Sequence, residues 1–273
     1  MGDLEKGLHV ASGTRLLARR AAMELSPSTS GYHIARARTV RPVDYMRYAE
    51  FDAILRDLEL SPGMKILDVS SPQWFSLYLA EQYPDVEFDY INIIDSEIEP
   101  YREIAKAIGI ENLRYKKEDA RAMHMSNHAY DKVISISVIE HIYPEKNGDL
   151  NALTEIYRVM KPNGEFLLTV PCKSESNILY KDGPVHERNE KAKRNFYARE
   201  YDPAMFNTLV EKSMFSMSGT WLICERAGLF PIDYYAWGPG KDRMYAKIIM
   251  NSRILLERVL RKSLDEYLAK QYL

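Results

Sequence analysis

Residues 64–80 read MKILDVSSPQWFSLYLA. The apolar pair Ile66-Leu67 ends in an acid, Asp68. A short turn of small residues follows, Val69-Ser70-Ser71-Pro72, and an amphipathic segment begins at Trp74. This is the pattern of a buried strand, a tight turn and a helix, the opening unit of an alternating α/β fold. Ligands in such folds sit beyond the carboxyl ends of the strands. The turn is therefore the first place to look for a bound cofactor.

Working outward, the same rhythm continues downstream. Val86–Ile94 (VEFDYINII) reads as a second strand, rich in β-branched and aromatic residues. Residues 96–108 read as a helix. Leu113–Lys117 reads as a third strand, followed by Glu118-Asp119-Ala120, and Asp131–Val138 as a buried fourth strand. A helix over Leu150–Met160 is stopped by Lys161-Pro162-Asn163-Gly164, and Glu165–Val170 is a fifth strand. Strands separated by helices at this pace predict right-handed βαβ crossovers and a mainly parallel sheet. After Pro171 the rhythm breaks. Residues 172–201 are polar, basic and aromatic, which predicts a loop-rich cap or lid. Asp202–Lys212 reads as one more helix, and late strands are expected at Thr220–Cys224, 230–237 and Arg243–Met250. The tail carries Leu255, Leu256, Val259, Leu260, Leu264, Tyr267 and Leu268 on one face of a helix. That face packs on its own domain or makes a homodimer contact.

Upstream, residues 7–24 suggest a surface helix, and SPSTSG (26–31) a break. Arg36, Arg38 and Arg41 then read as a solvated basic linker or an anion-attracting flap. Phe51, Ile54, Leu55 and Leu58 recur at helical spacing up to the stop at Ser61-Pro62-Gly63.

Composition narrows the class. The chain has 273 residues, 46% of them apolar, enough to bury a core without a staple. A net charge of −2 argues against a dedicated nucleic-acid binder. No apolar run reaches the roughly 20 residues of a membrane span. MGDLEKGLHV lacks the features of a signal peptide. The two cysteines, Cys172 and Cys224, have no metal-type spacing, so a reduced, cytoplasmic protein is expected. His124 and His128 have the spacing of a zinc pair, but HMSNH lacks the glutamate and a third ligand. No metal is expected.

The segments DKVISISVIEHI (131–142) and LTEIYRVMKPNGEFLLTVP (153–171) closely resemble the fourth and fifth strand regions of class I S-adenosylmethionine-dependent methyltransferases. The likeness spans about residues 43–171. It implies a Rossmann-like doubly wound α/β fold with a mainly parallel seven-stranded sheet. An N-terminal helical extension (1–60) precedes that domain (61–250, with its lid at about 172–201), and a C-terminal amphipathic helix (251–273) follows it. The cofactor it implies is S-adenosylmethionine.

The resemblance also implies roles for particular residues. Asp68, Ser70 and Ser71 would be cofactor-binding residues of the first turn, with Asp68 either ordering the turn or meeting the amino group of the methionine moiety; where family members carry alternating glycines, this chain holds Ser70, Pro72 and Trp74. Glycine there permits positive φ and close backbone approach. Asn92 stands where the family has a ribose-binding acid. Asp95 is expected either to supply the missing carboxylate or to cap the next helix. Asp119 would accept from the adenine amino group, with the Ala120 N–H on the ring. Ser135 would border the reacting methyl. Glu140 and His141 would lie beside the reacting centre, His141 as general base or both as orienting groups. Beyond the span of the likeness, Tyr180 and His186 of the polar segment are expected to reach the substrate from the lid, with a surface position the alternative for His186.

The function expected is methyl transfer to oxygen or nitrogen of a small, natural-product or sugar-like acceptor. Two alternatives stand beside it. One is cofactor chemistry on the aminobutyrate chain, releasing methylthioadenosine. The other is a cofactor-free binding or scaffold protein of the same fold.

Overall fold

The computed structural model describes residues 5–41, 43, 45–185 and 194–220. The late strands expected after residue 220, the helix over 251–273, Cys224 and His186 fall outside the described residues. The chain divides into two compact units. One gathers the described residues up to Glu59 with 103–109; the other comprises Leu60–Arg102 and Ile110–Thr220.

The second unit is built on five parallel strands: β1 (Lys65–Val69), β2 (Glu87–Asn92), β3 (Leu113–Lys117), β4 (Tyr130–Ile136) and β5 (Met160–Thr169). Their order is β3-β2-β1-β4-β5. The chain runs outward from β1 to β3, then returns to lay β4 against the other side of β1. That reversal is the switch point at which doubly wound sheets open a crevice. Helices α4 (Gln73–Gln82), α5 (Asp95–Ala107) and α6 (Gly148–Val159) make the crossovers. The strands form here because their apolar residues are buried on both faces: Ile66, Leu67 and Val69 of β1, and Val133 and Ile134 of β4, lose all exposure. On one face Ala152, Ile156 and Val159 of α6 share a core cluster with Leu67, Val69 and Val133. Each such aliphatic side chain contributes about 1.5–3 kcal/mol on burial. Towards the β3 edge that apolar layer gives way to charge. The fully buried Asp89 accepts from Arg114, Lys116 and the Tyr130 hydroxyl at 2.7–2.9 Å.

The structure departs from the sequence reading at three places. First, β5 begins at Met160 rather than at Glu165. Its register skips from Tyr130–Met160 to Lys132–Glu165, so Lys161–Gly164 bulges out. Second, the segment expected as a loop-rich cap carries an antiparallel pair, β6 (Asn177–Asp182) with β7 (Arg194–Glu200). Helix α7 (Pro203–Lys212) follows, capped by Asp202, whose carboxylate accepts from the Met205 N–H at 2.7 Å.

The third departure lies in the first unit, which holds α1 (Glu5–Glu24), α2 (Ser30–Val40) and α3 (Tyr45–Asp57). The expected basic linker is helix α2. Arg38 is buried there and donates to Thr14 Oγ1 and to the carbonyls of Ala11 and Arg41. It is neither a solvated linker residue nor part of a flap. Gly7 of α1 lies so close to α3 that a Cβ would sit 2.0 Å from the Tyr48 carbonyl oxygen.

Candidate active site

The turn after β1 takes the backbone path of a glycine turn without a glycine. Ser70 has φ +55°, a left-handed conformation that costs a non-glycine residue about 1–2 kcal/mol. Two hydrogen bonds offset this: the Ser70 N–H and hydroxyl both donate to the Ile91 carbonyl, at 3.0 and 2.7 Å. Ser71 faces the other way. Its hydroxyl accepts from the Ile136 N–H of β4 at 3.1 Å, and its carbonyl accepts from the Tyr90 hydroxyl at 3.0 Å. The two serines thus tie the end of β1 to both neighbouring strands. Asp68 closes the turn from beneath, its carboxylate accepting from the Ser71 N–H at 2.9 Å and the Ser76 hydroxyl at 2.6 Å. Burial pushes this carboxyl up to about 6 against the pull of those two bonds. Trp74 lies on α4 and meets Tyr101 edge-on at 5.5 Å between ring centres.

At the end of β2, the side-chain Oδ1 of Asn92 accepts from the Ile94 N–H at 2.8 Å, and its Nδ2 donates to Glu97 Oε2 at 3.2 Å. Asp95 starts α5 and faces Arg102 at 3.5 Å, with about half of its side chain exposed. The carboxylate brought to the end of β2 is therefore that of Glu97, not Asp95. The sequence reading missed Glu97. Its signal was a first-turn acid five residues after Asn92. Ile93 between them is an apolar side chain left 49% exposed. Beyond β3, Asp119 is clamped by Arg121, whose Nε lies 2.9 and 3.1 Å from the two carboxylate oxygens. The guanidinium holds Asp119 below the usual carboxylate range. Arg121 also donates to the Tyr143 carbonyl at 2.5 Å, joining the turn after β3 to the one after β4. Ala120 packs against the cluster built on Leu67 and Val133.

The end of β4 carries the second left-handed residue of the crevice. Ser137 has φ +52°, and its N–H donates to the carbonyl and hydroxyl of Thr169, both at 3.1 Å. Ser135 is buried and donates to the Val69 carbonyl at 3.2 Å. A short 3-10 turn over Ile139–His141 follows. Glu140 is buried, while His141 keeps a quarter of its side chain exposed. His141 Nδ1 lies 2.8 Å from the Tyr197 carbonyl oxygen of β7, and Nε2 lies 3.8 Å from Glu140 Oε1. A carbonyl only accepts, so Nδ1 carries a proton and Nε2 carries the lone pair of the neutral ring. Tyr180 of β6 donates to Glu145 Oε2 at 2.6 Å. Beneath the turn, Gly148 opens α6. A Cβ there would lie 2.3 Å from the Ile142 carbonyl oxygen, so only glycine fits. Among the described residues, no three His, Cys, Asp or Glu side chains gather as a metal-binding group. His124 pairs with Glu118, and His128 with the Met160 carbonyl.

The sheet order therefore lines up Ser70, Ser71, Asn92, Asp119, Ser135, Glu140 and His141 along the carboxyl ends of β1 to β4. A parallel doubly wound sheet with polar groups at its switch point defines a class of ligand-binding α/β domains. Within that class, a methyltransferase-domain family model matches residues 60–216. The chain belongs to this family of class I S-adenosylmethionine-dependent methyltransferases, and the cofactor of the family is S-adenosylmethionine. It is similar to a glycine/sarcosine/dimethylglycine N-methyltransferase of Actinopolyspora halophila, with 28% identity over 149 residues, 52% of this chain and 25% of that protein. It is also similar to a cyclopropane-fatty-acyl-phospholipid synthase of Escherichia coli, with 26% identity over 139 residues, 50% of this chain and 34% of that protein. The chain thus spans about a quarter to a third of the length of these relatives. Among solved structures it resembles the YcgJ protein of Bacillus subtilis at 15% identity and a TM-score of 0.45, over 60% of this chain and 67% of that one.

Proposed function

We propose that this chain transfers a methyl group from S-adenosylmethionine to oxygen or nitrogen of a small-molecule acceptor. The observation that carries the reading is His141 at the end of β4. It is fixed through Nδ1, carries its lone pair on Nε2 and has Glu140 beside it.

The residues present fit the cofactor by the chemistry of their donor set. Asn92 and Glu97 offer acceptors to ribose hydroxyls, and Asp119 with the Ala120 N–H would hold the adenine. Arg121 occupies Asp119 Oδ1 with its backbone N–H and Nε, and Oδ2 with Nη2 and a share of the Nε–H, so Oδ2 is the oxygen with capacity for the adenine amino group. Ile93 would lie against the base. The Ser70-Ser71 turn and the positive N-terminal end of α4 favour the amino-acid portion, whose carboxylate suits a helix start. Asp68 holds the turn through Ser71 and Ser76, and the remaining lone pairs of its carboxylate would accept from the amino group of the amino-acid portion. When bound, the cofactor supplies an electrophilic methyl on a sulfonium. His141 Nε2 takes the proton that the attacking hydroxyl or amine gives up, and the Glu140 carboxylate stabilises the imidazolium that forms. The remaining work is alignment and exclusion of water. The pair β6 and β7 walls the acceptor side and carries Tyr180. The similarity to a relative named for N-methylation of small amino acids supports an amine acceptor.

Incubating the protein with S-adenosylmethionine and a panel of small amines, phenols and sugars, followed by mass spectrometry, tests this reading. S-adenosylhomocysteine formed together with a methylated acceptor is the expected result. Methylthioadenosine as the enzyme-dependent product would contradict methyl transfer and favour reaction at the aminobutyrate chain.

A further inference from the structure

Arg199 is 1% exposed, and its charge lies on β7, away from any solvated surface. Its Nη1 donates to the carbonyls of Glu140 and Ile142 at 3.2 and 3.0 Å, and its Nη2 to those of Pro144 and Glu145, both at 2.6 Å. Its Nε faces Asp149 Oδ2 at 3.2 Å, and its guanidinium lies 4.7 Å from the centre of the Phe196 ring. One side chain thus gathers four carbonyls of the turn that carries Glu140 and His141, and anchors them to the first turn of α6. Tyr197, whose carbonyl meets His141 Nδ1, stands two residues earlier on the same strand. The clamp and the histidine's partner therefore belong to one strand.

We infer that Arg199 is the positioning residue of this site. By pinning the turn over 140–145 to β7, it fixes His141 in the tautomer with the proton on Nδ1 and the lone pair on Nε2. This rests on the reading of His141 as proton acceptor. A role confined to stability fits the observations poorly, because buried ionic groups of this kind are often no more stabilising than apolar replacements. What Arg199 supplies, and an apolar residue cannot, is a planar fork of donors that reaches several carbonyls at once. Lysine, with three donors on one point charge, is a poor substitute.

The test is nitrogen NMR of the histidine rings in the full chain, with His141 assigned by comparison with His141→Gln. Two variants remove the clamp: Arg199→Lys, and Arg199→Met combined with Asp149→Asn, which avoids stranding the aspartate charge. In the wild-type protein the neutral His141 ring should favour the Nδ1 proton by roughly fivefold or more, the size that one net hydrogen bond supplies. In folded variants that preference should fall to the mixture of an unconstrained histidine. A folded variant that keeps the wild-type tautomer would overturn the inference, as would a wild-type ring protonated on Nε2. Loss of folding in both variants would make Arg199 a structural residue and overturn it too. Separately, if His141→Gln retained full methyl transfer, the proton-acceptor reading would fail while the tautomer result still stood.

Discussion

Ser70 does at φ +55° what a glycine normally does, and Asp68 sits fully buried two residues before it. Each makes a prediction. Ser70→Gly relieves the backbone strain but loses the hydroxyl bond to Ile91, so its stability should stay close to wild type. Ser70→Ala keeps the strain and loses the bond, and should be about 1 kcal/mol less stable than Ser70→Gly in denaturant unfolding. For Asp68, the folded carboxyl titrates at about 6 against 3.8 for the ordinary side chain. Well below pH 3.8 both states are protonated and burial carries no charge penalty. Between pH 4 and 6 the unfolded chain ionises while the folded one keeps its proton, so folded stability is lost as pH rises. Above pH 6 the full penalty, at most about 3 kcal/mol, is present. Asp68→Asn should therefore gain stability over wild type as pH rises from 4 to 7; a gap that stays constant would refute the assignment. Much of this scale was hidden in the sequence. Asp119 and the Glu140-His141 pair were legible as motifs. That Glu97 rather than Asp95 meets Asn92 was not, because the helix start decides which first-turn acid turns inward.

At the scale of elements, β1 to β5 were legible because each strand is a short apolar run between turn signals. The pairing of β6 with β7 was not. Burial along β7 does not alternate: Asn195-Phe196 and Ala198-Arg199 are buried as adjacent pairs, and Arg199 is a buried charge. Its acceptors are carbonyls 54–59 residues away in the chain, which no local pattern reports. The helix over Ser30–Val40 was missed for a similar reason. Arg38 reads as solvated, yet it finds Thr14 and Ala11 on α1. Gly148 gives the prediction at this scale. Its missing side chain makes room for the backbone at Ile142 and Tyr143. Gly148→Ala should push the 140–145 turn off α6, cost about 1–3 kcal/mol by overpacking, and broaden the His141 resonances. Unchanged stability and an unchanged His141 signal would contradict the packing described.

For the molecule as a whole, the order β3-β2-β1-β4-β5 matters more than any single contact, because it brings the ends of β1 and β4 to one crevice. The sequence implied that order only through the family likeness. The alternation of strands and helices is compatible with several parallel orders. No helix among the described residues is long and apolar enough to cross a membrane. The central claim is that a turn built of serines still makes a working cofactor crevice. Titration calorimetry of the purified chain with S-adenosylmethionine tests it most directly. A single site of micromolar affinity, about −8 kcal/mol, is predicted. Cofactor at a hundredfold excess over its dissociation constant should then stabilise the fold by about 2.7 kcal/mol. No heat and no stabilisation at millimolar cofactor would contradict the account and leave a scaffold that kept the fold without its ligand.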